Sequence, residues 1–465
     1  MPLTDRRTLL ATAALGTAAA ALPAAAQRDN RPALPVLSAA TAHARIDPRA
    51  FGARGDGVTK DTAALQQALD RAARHGGEVV LSGGTFLTGA LRVGSNTTLR
   101  IEEGTTLQGS PDLADYPVQQ VRWEGRWIPG YAALIWALDA RNVALMGKGR
   151  IVASKAIPGR VAADGRRHPA LLEFVNVRGL SVTDLYTEQN DMWSTHPVFC
   201  EDAVFRGLTI KGNADGIDID SCRRVLIDRC DFDTVDDCIS LKSGRGMEGV
   251  AIGRPTEDVT ITDCTFRDQR WACIGIGSET SGGIRRVLVE RCACLRAHTF
   301  AIYLKSRPGR GAFITDVTMR DLDVSGAGYG FLRLNFLDSG KQDEFPVPGI
   351  DGIPTLSNFV FERIRVKDVP ILVEAVNIHP DKPLDGFVLR DVTGTCGHGI
   401  TLANMRRVDL AGIGVDVFSG PKIAVANVTG RGLEAAARLV PPERPPPVQP
   451  APTPFRPGQI PGLKS

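Results

Sequence analysis

The segment Val225-Leu-Ile-Asp-Arg-Cys-Asp-Phe232 carries the pattern that decides the fold. Val259-Thr-Ile-Thr-Asp-Cys-Thr-Phe266 and Val287-Leu-Val-Glu-Arg-Cys-Ala-Cys294 repeat it closely. The segments are rich in apolar residues that often alternate with polar ones, and in each a Cys follows two polar residues of which at least one is charged. Short alternating segments of this kind, bounded by Gly, Asp or Asn, predict β-strands. Because similar units recur along the chain, the sequence predicts a solenoid rather than a sandwich.

The same register extends for more than 200 residues. Its apolar position recurs at intervals of 21 to 42 residues, at Leu185, Leu208, Cys230, Cys264, Cys292, Leu322, Ile364, Val392 and Ile413. Most coils have 21 to 34 residues and contain no helical pattern, which favours a right-handed parallel β-helix of the all-β class. The structural alternative is a leucine-rich repeat, but its Leu-x-x-Leu-x-Leu signature is absent.

The two ends of a solenoid must be covered. Asp61-Thr62 followed by apolar residues at helical spacing predicts a capping helix over Asp61–Arg74, before Gly76. Pro441 to Pro454 is rich in proline, which cannot donate ladder hydrogen bonds. We therefore expect an export signal at 1–26, a flexible segment at 27–47, the β-helix at 48–435 and a disordered tail at 441–465.

The N-terminus predicts export from the cytoplasm. Arg6-Arg7 precede the apolar run Leu9–Leu22, and Ala24-Ala-Ala26 offers a cleavage site. The paired arginines favour the twin-arginine route, and an ordinary secretory signal is the alternative. No later segment has the roughly 18 apolar residues that a membrane span needs. We expect a monomeric periplasmic or secreted protein without a membrane span.

Composition excludes some partners. The chain of 465 residues has a net charge of +3 and no long basic run, which argues against nucleic acid binding. Its 49 Gly and 30 Pro suit a turn-rich β protein. Its nine Cys match no zinc pattern, so most are expected as packed free thiols. Asp218, Asp220 and Glu279 lack the spacing of a calcium loop, and we expect no metal and no cofactor.

Three aspartates form the predicted catalytic group. Asp215 lies in Asn213-Ala-Asp-Gly-Ile-Asp218, and Asp236 and Asp237 follow after 21 and 22 residues. One repeat separates neighbouring rungs, which lie roughly 4.8 Å apart, so the carboxylates share a surface. Such a cluster raises at least one pKa. Because consecutive strand residues face opposite ways, Asp236 and Asp237 share a site only at a bend or bulge. The alternative is that these are ordinary turn aspartates.

The ordered set of motifs resembles the polygalacturonase family, glycoside hydrolase family 28, over roughly residues 48 to 432. The similarity begins with Phe51-Gly-Ala-Arg-Gly-Asp56, which resembles the entry of pectin-acting β-helices. It continues with Trp193-Ser-Thr-His196-Pro197, which is similar to a motif of the bacterial branch. The segments around Asp215, Asp236-Asp-Cys238, Gly277–Gly283 and Lys305 follow in family order.

The resemblance implies an inverting mechanism with a general acid and an activated water. In the family pattern Asp236 is the acid, and Asp215 and Asp237 hold the water. Inverting enzymes place such carboxyl groups about 6.5–9.5 Å apart. Two motifs depart from the family. Where the family has Gly-His-Gly, this chain has Arg270-Trp-Ala272. Where the family has Arg-Ile-Lys, this chain has Tyr303-Leu-Lys305.

These motifs also imply candidates for substrate binding. They are Asn213, Lys305, Arg307, Lys242, Trp271, Tyr303 and Trp193. Lys305 suits a sugar carboxylate, while Arg307 and Arg310 are clamp candidates or solvated loop charges. Lys242 is a ligand or a structural ion pair for the acids. Trp193 and Trp271 offer sugar platforms, with core packing as the alternative for Trp193. His196 is expected to be structural rather than a base.

The sequence thus predicts an exported glycoside hydrolase acting on an acidic, pectic polysaccharide. The altered motifs favour a substituted or mixed oligosaccharide over plain polygalacturonan, attacked from one end. A pectate-lyase-like enzyme shares the fold but needs calcium-binding acids and a basic proton acceptor. A non-catalytic carbohydrate-binding β-helix is the other alternative. The presence of all three aspartates argues against it.

Overall fold

The structure, a computed structural model, describes residues 32–37 and 44–457. The predicted export signal and the last eight residues lie outside this range. A parallel β-helix winds through three faces per coil. We call these faces sheets A, B and C. The repeat therefore forms the predicted right-handed β-helix.

Sheet A carries the strands that later position the site. Its strands pair in parallel from rung to rung. They are β5 (Leu91–Arg92), β10 (Ile135–Leu138), β13 (Leu172–Val175), β16 (Thr195–Val198), β19 (Ile217–Asp220), β22 (Ile239–Lys242), β25 (Ile274–Ile276), β27 (Phe300–Lys305) and β29 (Gly330–Asn335).

Sheets B and C complete each coil. Sheet B has β1 (Ala44–Ile46), β3 (Gly77–Leu81), β6 (Thr97–Ile101), β11 (Arg141–Met146), β14 (Arg178–Thr183), β17 (Glu201–Arg206), β20 (Arg223–Asp228) and β23 (Thr256–Thr262). Sheet C has β2 (Asp56–Lys60), β4 (Gly84–Thr88), β7 (Thr105–Gly109), β12 (Arg150–Val152), β15 (Tyr186–Gln189), β18 (Thr209–Gly212), β21 (Asp231–Thr234) and β24 (Thr265–Phe266).

Later strands run continuously around the corners. They are β26 (Ile284–Cys294), β28 (Phe313–Ser325), β30 (Thr355–Asn377), β31 (Leu384–Val417), β32 (Ile423–Arg431) and β33 (Ala437–Arg438). The predicted register is observed here, because Cys292 pairs with Leu322 and Leu322 with Ile364. These apolar side chains point into a core that extends from Ala53 to Val415.

The corner between sheets B and C explains the charged pair in the repeat. The residue directly before each register position has a left-handed backbone, with φ between 50° and 63°. The set is Asp184, Gly207, Arg229, Asp263, Arg291, Asp321, Arg363, Asp391 and Gly412. This turn separates the predicted segment Val225–Phe232 into β20 and β21, whereas β26 and the later strands continue across the same left-handed corner position.

The capping helix, α1, spans Thr62–His75. Its buried face is Ala64, Leu65, Ala68, Leu69 and Ala72, as the periodicity predicts. Asp61 occupies the N-cap position, but its carboxylate accepts hydrogen bonds from the backbone N–H groups of Arg54 and Gly55 instead of capping the helix. The helix therefore closes the first rungs, and Asp61 anchors the preceding loop.

Three further elements lie outside the coils. An antiparallel hairpin of β8 (Val118–Trp123) and β9 (Arg126–Tyr131) and the short helix α2 (Gly246–Ile252) stand beside sheet A. Single 3-10 turns occur at Pro48–Phe51, Leu113–Asp115 and Gly349–Gly352.

The described part of the predicted tail is attached to the solenoid. Residues 441–457 contain no α-helix or strand. Nevertheless Val448 accepts a backbone hydrogen bond from Gly349 at 2.9 Å, and the ring of Phe455 lies 5.6 Å from that of Phe345. Arg444 also pairs with Asp381. Disorder of the tail stays a prediction for residues 458–465 alone.

Candidate active site

Rung stacking brings Asp215 and Asp237 together. Ile217 pairs with Ile239, which places Asp215 opposite Asp237 just before β19 and β22. The backbone supports this arrangement, because Gly216 donates to the carbonyl of Asp237 at 3.0 Å. Asp236 and Asp237 lie in the bend between β21 and β22, as side-chain alternation requires. The three predicted catalytic residues are therefore on adjacent rungs at one edge of sheet A.

Three groups hold the carboxylates of Asp215 and Asp237 in place. The Ser240 hydroxyl lies 3.2 Å from Oδ2 of each aspartate. The Lys305 Nζ donates to Asp237 Oδ2 at 2.7 Å, and the Ala272 N–H donates to Asp237 Oδ1 at 3.0 Å. A Cβ at Gly275 would lie 2.4 Å from Asp237 Oδ2, so only glycine leaves room for this carboxylate.

Asp215 and Asp237 have opposite electrostatic surroundings although both are 5% exposed or less. Burial raises the pKa of Asp215 to about 7, the carboxylates of Asp236 and Asp237 contribute in the same direction, and Lys242 opposes the shift. Burial also acts on Asp237, but Lys305 outweighs it and lowers the pKa of Asp237. Near neutral pH the site thus holds one ionised and one partly protonated carboxyl group.

Asp236 is more accessible than its neighbours and has a different partner. Its side chain is 23% exposed, and its Oδ2 accepts a hydrogen bond from Arg160 Nη2 at 2.7 Å. Arg160 lies between β12 and β13, in a long connection without strand periodicity. The repeat gives no signal for it, so the sequence analysis missed this residue. Ser240 was also missed, although it lies in the same motif as Asp236.

Lys242 forms the structural ion pair that was one of its two expected roles. Its Nζ lies 2.7 Å from Asp218 and 3.2 Å from Asp215. Burial opposes its charge, but these two carboxylates outweigh that effect and raise the pKa of Lys242 well above its usual range. Lys242 is therefore a buried ammonium beneath the site.

Trp193 and His196 lie below the surface. Trp193 is 3% exposed and packs with Met192 and Ala214, and Lys242 Nζ lies 4.7 Å from its ring centroid. It therefore offers no open face for a sugar, which corrects the prediction of a platform. His196 is buried and hydrogen-bonds Glu173 at 3.0 Å through Nδ1. Burial lowers its pKa, in keeping with a structural histidine.

Trp271 and Tyr303 remain at the surface of the site. Trp271 is 45% exposed and directly precedes Ala272, whose N–H holds Asp237. The Tyr303 hydroxyl lies 2.8 Å from Ser339 Oγ, and Lys305 Nζ lies 5.2 Å from the Tyr303 ring centroid. Both aromatic side chains are thus placed next to the groups that hold Asp237.

The other predicted ligands are hydrogen-bonded within the protein. Arg307 donates to the carbonyl of Gly340 at 2.7 Å, and Asn213 donates to Asp191 at 3.2 Å. Arg310 is fully buried and bonds Asp343 and the carbonyl of Ser278, so it is neither a clamp nor a solvated charge. The side-chain hydrogen bonds of these three residues thus go to partners other than the three aspartates.

Within residues 32–37 and 44–457, no group of three or more His, Cys, Asp or Glu side chains is arranged to hold a metal ion. In the same ranges no helix is long and apolar enough to cross a membrane.

The sequence profile described as Glycosyl hydrolases family 28 matches residues 80–340, which include the three aspartates and Lys305. The chain belongs to this family. It is therefore a glycoside hydrolase, and the lyase and non-catalytic alternatives fall away. The matched segment includes β19 and β22 of sheet A, beside which the carboxylates meet.

Individual relatives are distant. A probable polygalacturonase of Vitis vinifera is 26% identical over 74% of this chain and 72% of its own length. An exo-poly-alpha-D-galacturonosidase of Dickeya chrysanthemi is 25% identical over 58% of this chain and 53% of its own length. The chain thus spans about half of the second relative.

Solved structures of the same fold include exopolygalacturonases. The Thermotoga maritima enzyme has a TM-score of 0.67 at 23% identity, covering 82% of this chain and 94% of its own. The Yersinia enterocolitica family 28 enzyme also has a TM-score of 0.67, at 20% identity, covering 86% and 79%. At these identities the similarity shows the β-helix fold.

Proposed function

We propose that the protein hydrolyses a glycosidic bond beside an acidic sugar of a pectic polysaccharide, with inversion at the anomeric carbon. The observation that carries this proposal is the meeting of Asp215, Asp236 and Asp237 with Lys305 at one edge of sheet A. Relatives whose names specify polygalacturonan as substrate support the choice of sugar.

The surroundings of each carboxyl group suggest its role. Asp236, the most exposed of the three, protonates the leaving oxygen. Asp237 has a lowered pKa and accepts the proton that the attacking water loses. Asp215, whose pKa is about 7, and Ser240 orient this water. The water oxygen forms the new bond as the glycosidic bond breaks, which inverts the anomeric carbon.

Two cations are available for the carboxylate of the sugar. Lys305 touches Asp237, and Arg160 touches Asp236. A carboxylate that pairs with a guanidinium has no proton to donate, so Asp236 must separate from Arg160 and take up a proton from solvent before it protonates the leaving oxygen. A sugar carboxylate is a suitable competing partner for Arg160, because guanidinium binds carboxylates bidentately. Substrate binding thus releases the acid.

The elements beside the site favour attack from one chain end. The hairpin β8–β9 is fixed over sheet A, because Arg122 pairs with Asp220 at 2.9 Å and with Glu248 at 3.0 Å, all buried. Arg160 closes the site from the adjacent loop. Trp271 and Tyr303 offer apolar ring faces, which suit a substituted or mixed substrate better than unbranched polygalacturonan.

Replacement of Asp236 by Asn tests this function. It removes the transferable proton while it retains the side-chain shape, so kcat should fall about a hundredfold or more. Reducing-sugar release from polygalacturonan and branched pectic oligosaccharides measures the activity. Asp323→Asn is the matched control, since Asp323 is 53% exposed and pairs with Arg365 on sheet C. Near-normal turnover of Asp236→Asn would contradict the acid role.

The products of the wild-type enzyme test the other parts of the proposal. Proton NMR at early times should show a product anomer opposite to that of the substrate. Short saccharides from one chain end should precede any ladder of intermediate lengths. Retention of configuration, or faster cleavage of plain polygalacturonan than of every branched substrate, would contradict inversion or the expected specificity, respectively.

We further propose that the protein acts outside the cytoplasm, in the periplasm or medium. Arg6-Arg7 and the apolar run after them support export by the twin-arginine route. N-terminal sequencing of the mature protein should begin near Gln27. A mature protein that retains Met1 or remains in the cytoplasm would contradict the proposal.

A further inference from the structure

A cavity lies on sheet A, away from the three aspartates. Its volume is about 480 Å³, within the range of small-molecule sites. The ends of β10, β13 and β16 form its floor, the hairpin β8–β9 forms one wall, and the segment after α2 forms the other. None of its lining residues is one of the three aspartates or Lys305.

Buried ion pairs separate the cavity from the candidate active site. Trp136, Glu173 and His196 occupy successive rungs in one row, and Asp218 follows on the next rung. Three rung intervals correspond to roughly 14 Å. Between the ends of this row, Glu173 bonds Arg167 at 2.8 Å and His196 at 3.0 Å, with all three side chains buried. The cavity and the candidate active site are therefore distinct.

Three half-buried aromatic side chains line the cavity: Trp127, Trp136 and Phe199. Phe199 has a φ of 55°, in the left-handed region that bulky residues rarely adopt. The matching turn positions on the two preceding rungs are Asp139 and Asn176, which tolerate this backbone better. A strained aromatic residue at this corner places an additional ring on the cavity wall.

The polar groups of the cavity fit a sugar that carries a carboxylate. Arg254 is exposed, and its guanidinium lies 5.1 Å from the Phe199 ring centroid. Among the described residues it has no carboxylate partner. Asp139 and Asn176, joined by a hydrogen bond of 2.7 Å, lie at the rim and offer further polar contacts for hydroxyl groups. Aromatic faces pack against the apolar side of a pyranose ring, and guanidinium binds its carboxylate.

We propose that this cavity is a second saccharide-binding site, which holds a uronic acid residue of the polysaccharide. Trp127 and Trp136 contact the sugar ring, and Arg254 pairs with its carboxylate. The choice of an acidic sugar rests on the proposed function of the first site. The second site binds the chain without cleaving it, which keeps the polymer attached while its end is hydrolysed.

Calorimetric titration with trigalacturonate tests the proposal. The protein carries Asp236→Asn, so that the probe is not hydrolysed during the titration. We expect two binding events. Lys305→Met weakens one event, and Arg254→Gln weakens the other about tenfold or more. Arg296→Gln is the matched control, because Arg296 is 59% exposed, pairs with Asp268 and does not line the cavity. Trp136→Leu provides a second variant of the cavity, and circular dichroism confirms that each variant is folded.

The outcomes separate this inference from the proposed function. A single event that Lys305→Met abolishes and Arg254→Gln leaves unchanged would overturn the second site alone. A single event that depends on Arg254 and not on Lys305 would support the cavity and contradict the assignment of the first site. If galactotriose binds the cavity as tightly as trigalacturonate does, the preference for an acidic sugar is wrong.

Discussion

At the scale of single residues, the site depends on how its charges are paired. Asp237 has Lys305, Asp236 has Arg160, and Asp215 has Lys242, which also serves Asp218. Asp215 shares its cation and is buried, so its pKa rises to about 7. Three aspartates of similar sequence context therefore have three different environments.

Asp215→Asn should stabilise the protein at alkaline pH. An aspartate whose pKa is about 7 when folded and 3.8 as a free side chain binds its proton more tightly in the folded state. Stability from this group is fully present below the unfolded pKa and is lost as pH rises towards 7. An uncharged amide at this position does not lose stability as the pH rises. Lys242 retains its ion pair with Asp218 in the variant.

We expect the free energy of unfolding of Asp215→Asn to exceed that of wild type by on the order of 2–4 kcal/mol at pH 8, with little difference at pH 4. Urea denaturation at the two pH values measures this difference. A variant that is equally destabilised at both pH values would show that the carboxylate is needed for packing.

Arg160→Gln should weaken substrate binding more than it affects turnover. Under the proposed function the guanidinium of Arg160 leaves Asp236 and pairs with the sugar carboxylate. Because the variant loses one charged hydrogen bond to the substrate, KM for an acidic oligosaccharide should rise roughly tenfold. Arg166→Gln is the control on the same loop, where Arg166 pairs with Asp164. Steady-state kinetics of both variants decide this. An unchanged KM would assign Arg160 a purely structural role.

At the scale of elements, the left-handed corner residue organises each coil. Several corners carry arginine although this backbone favours Gly or Asn. Two of them pair with acids one rung away, Arg291 with Asp263 and Arg363 with Asp321. At these corners a strained left-handed arginine thus forms an ion pair with the neighbouring rung.

Arg229 offers a test of this balance. It has a φ of 50° and is 63% exposed, and its partner Asp228 is also bound by Arg206 at 2.7 Å. Arg229→Asn should therefore be neutral or stabilising by up to about 1 kcal/mol. Arg206 also pairs with Asp228 but lies in an extended strand, so Arg206→Asn relieves no backbone strain and should destabilise the protein slightly. Thermal unfolding compares the two, and a larger loss for Arg229→Asn would contradict the corner argument.

At the scale of the whole molecule, the stacked core accommodates all the cysteines. The nine thiols are buried and unpaired, including Cys238 and Cys264. Burial raises the pKa of the Cys238 thiol, which makes it unreactive in the folded protein. A disulfide is not required to join the coils, because continuous ladders and core packing already do so.

Thiol titration should therefore give two different counts. With an aromatic disulfide reagent, the native protein should react at no more than about one thiol. After denaturation without reductant, most of the nine cysteines should react. Mass mapping checks the result directly, and recovery of four disulfides would contradict the packed free-thiol arrangement.

The sequence by itself determined the repeat, its register and the cap. Alternating apolar residues and the spacing from Cys292 to Val392 are local properties that each coil repeats, so they specify the β-helix and align Asp215 with Asp237. The bend at Asp236 followed from side-chain alternation. Motif order indicated the family.

Only the tertiary structure determined which charged side chains form ion pairs. Arg160 reaches Asp236 from 76 residues away, and Arg122 reaches Asp220 from 98 residues away. Both come from segments outside the repeat, whose positions no periodicity encodes. The burial of Trp193 and the cavity at Phe199 likewise depend on how the hairpin and loops fold over sheet A. Contacts between non-repeating segments arise only when the chain packs, because their register is set by side-chain fit rather than by a local pattern.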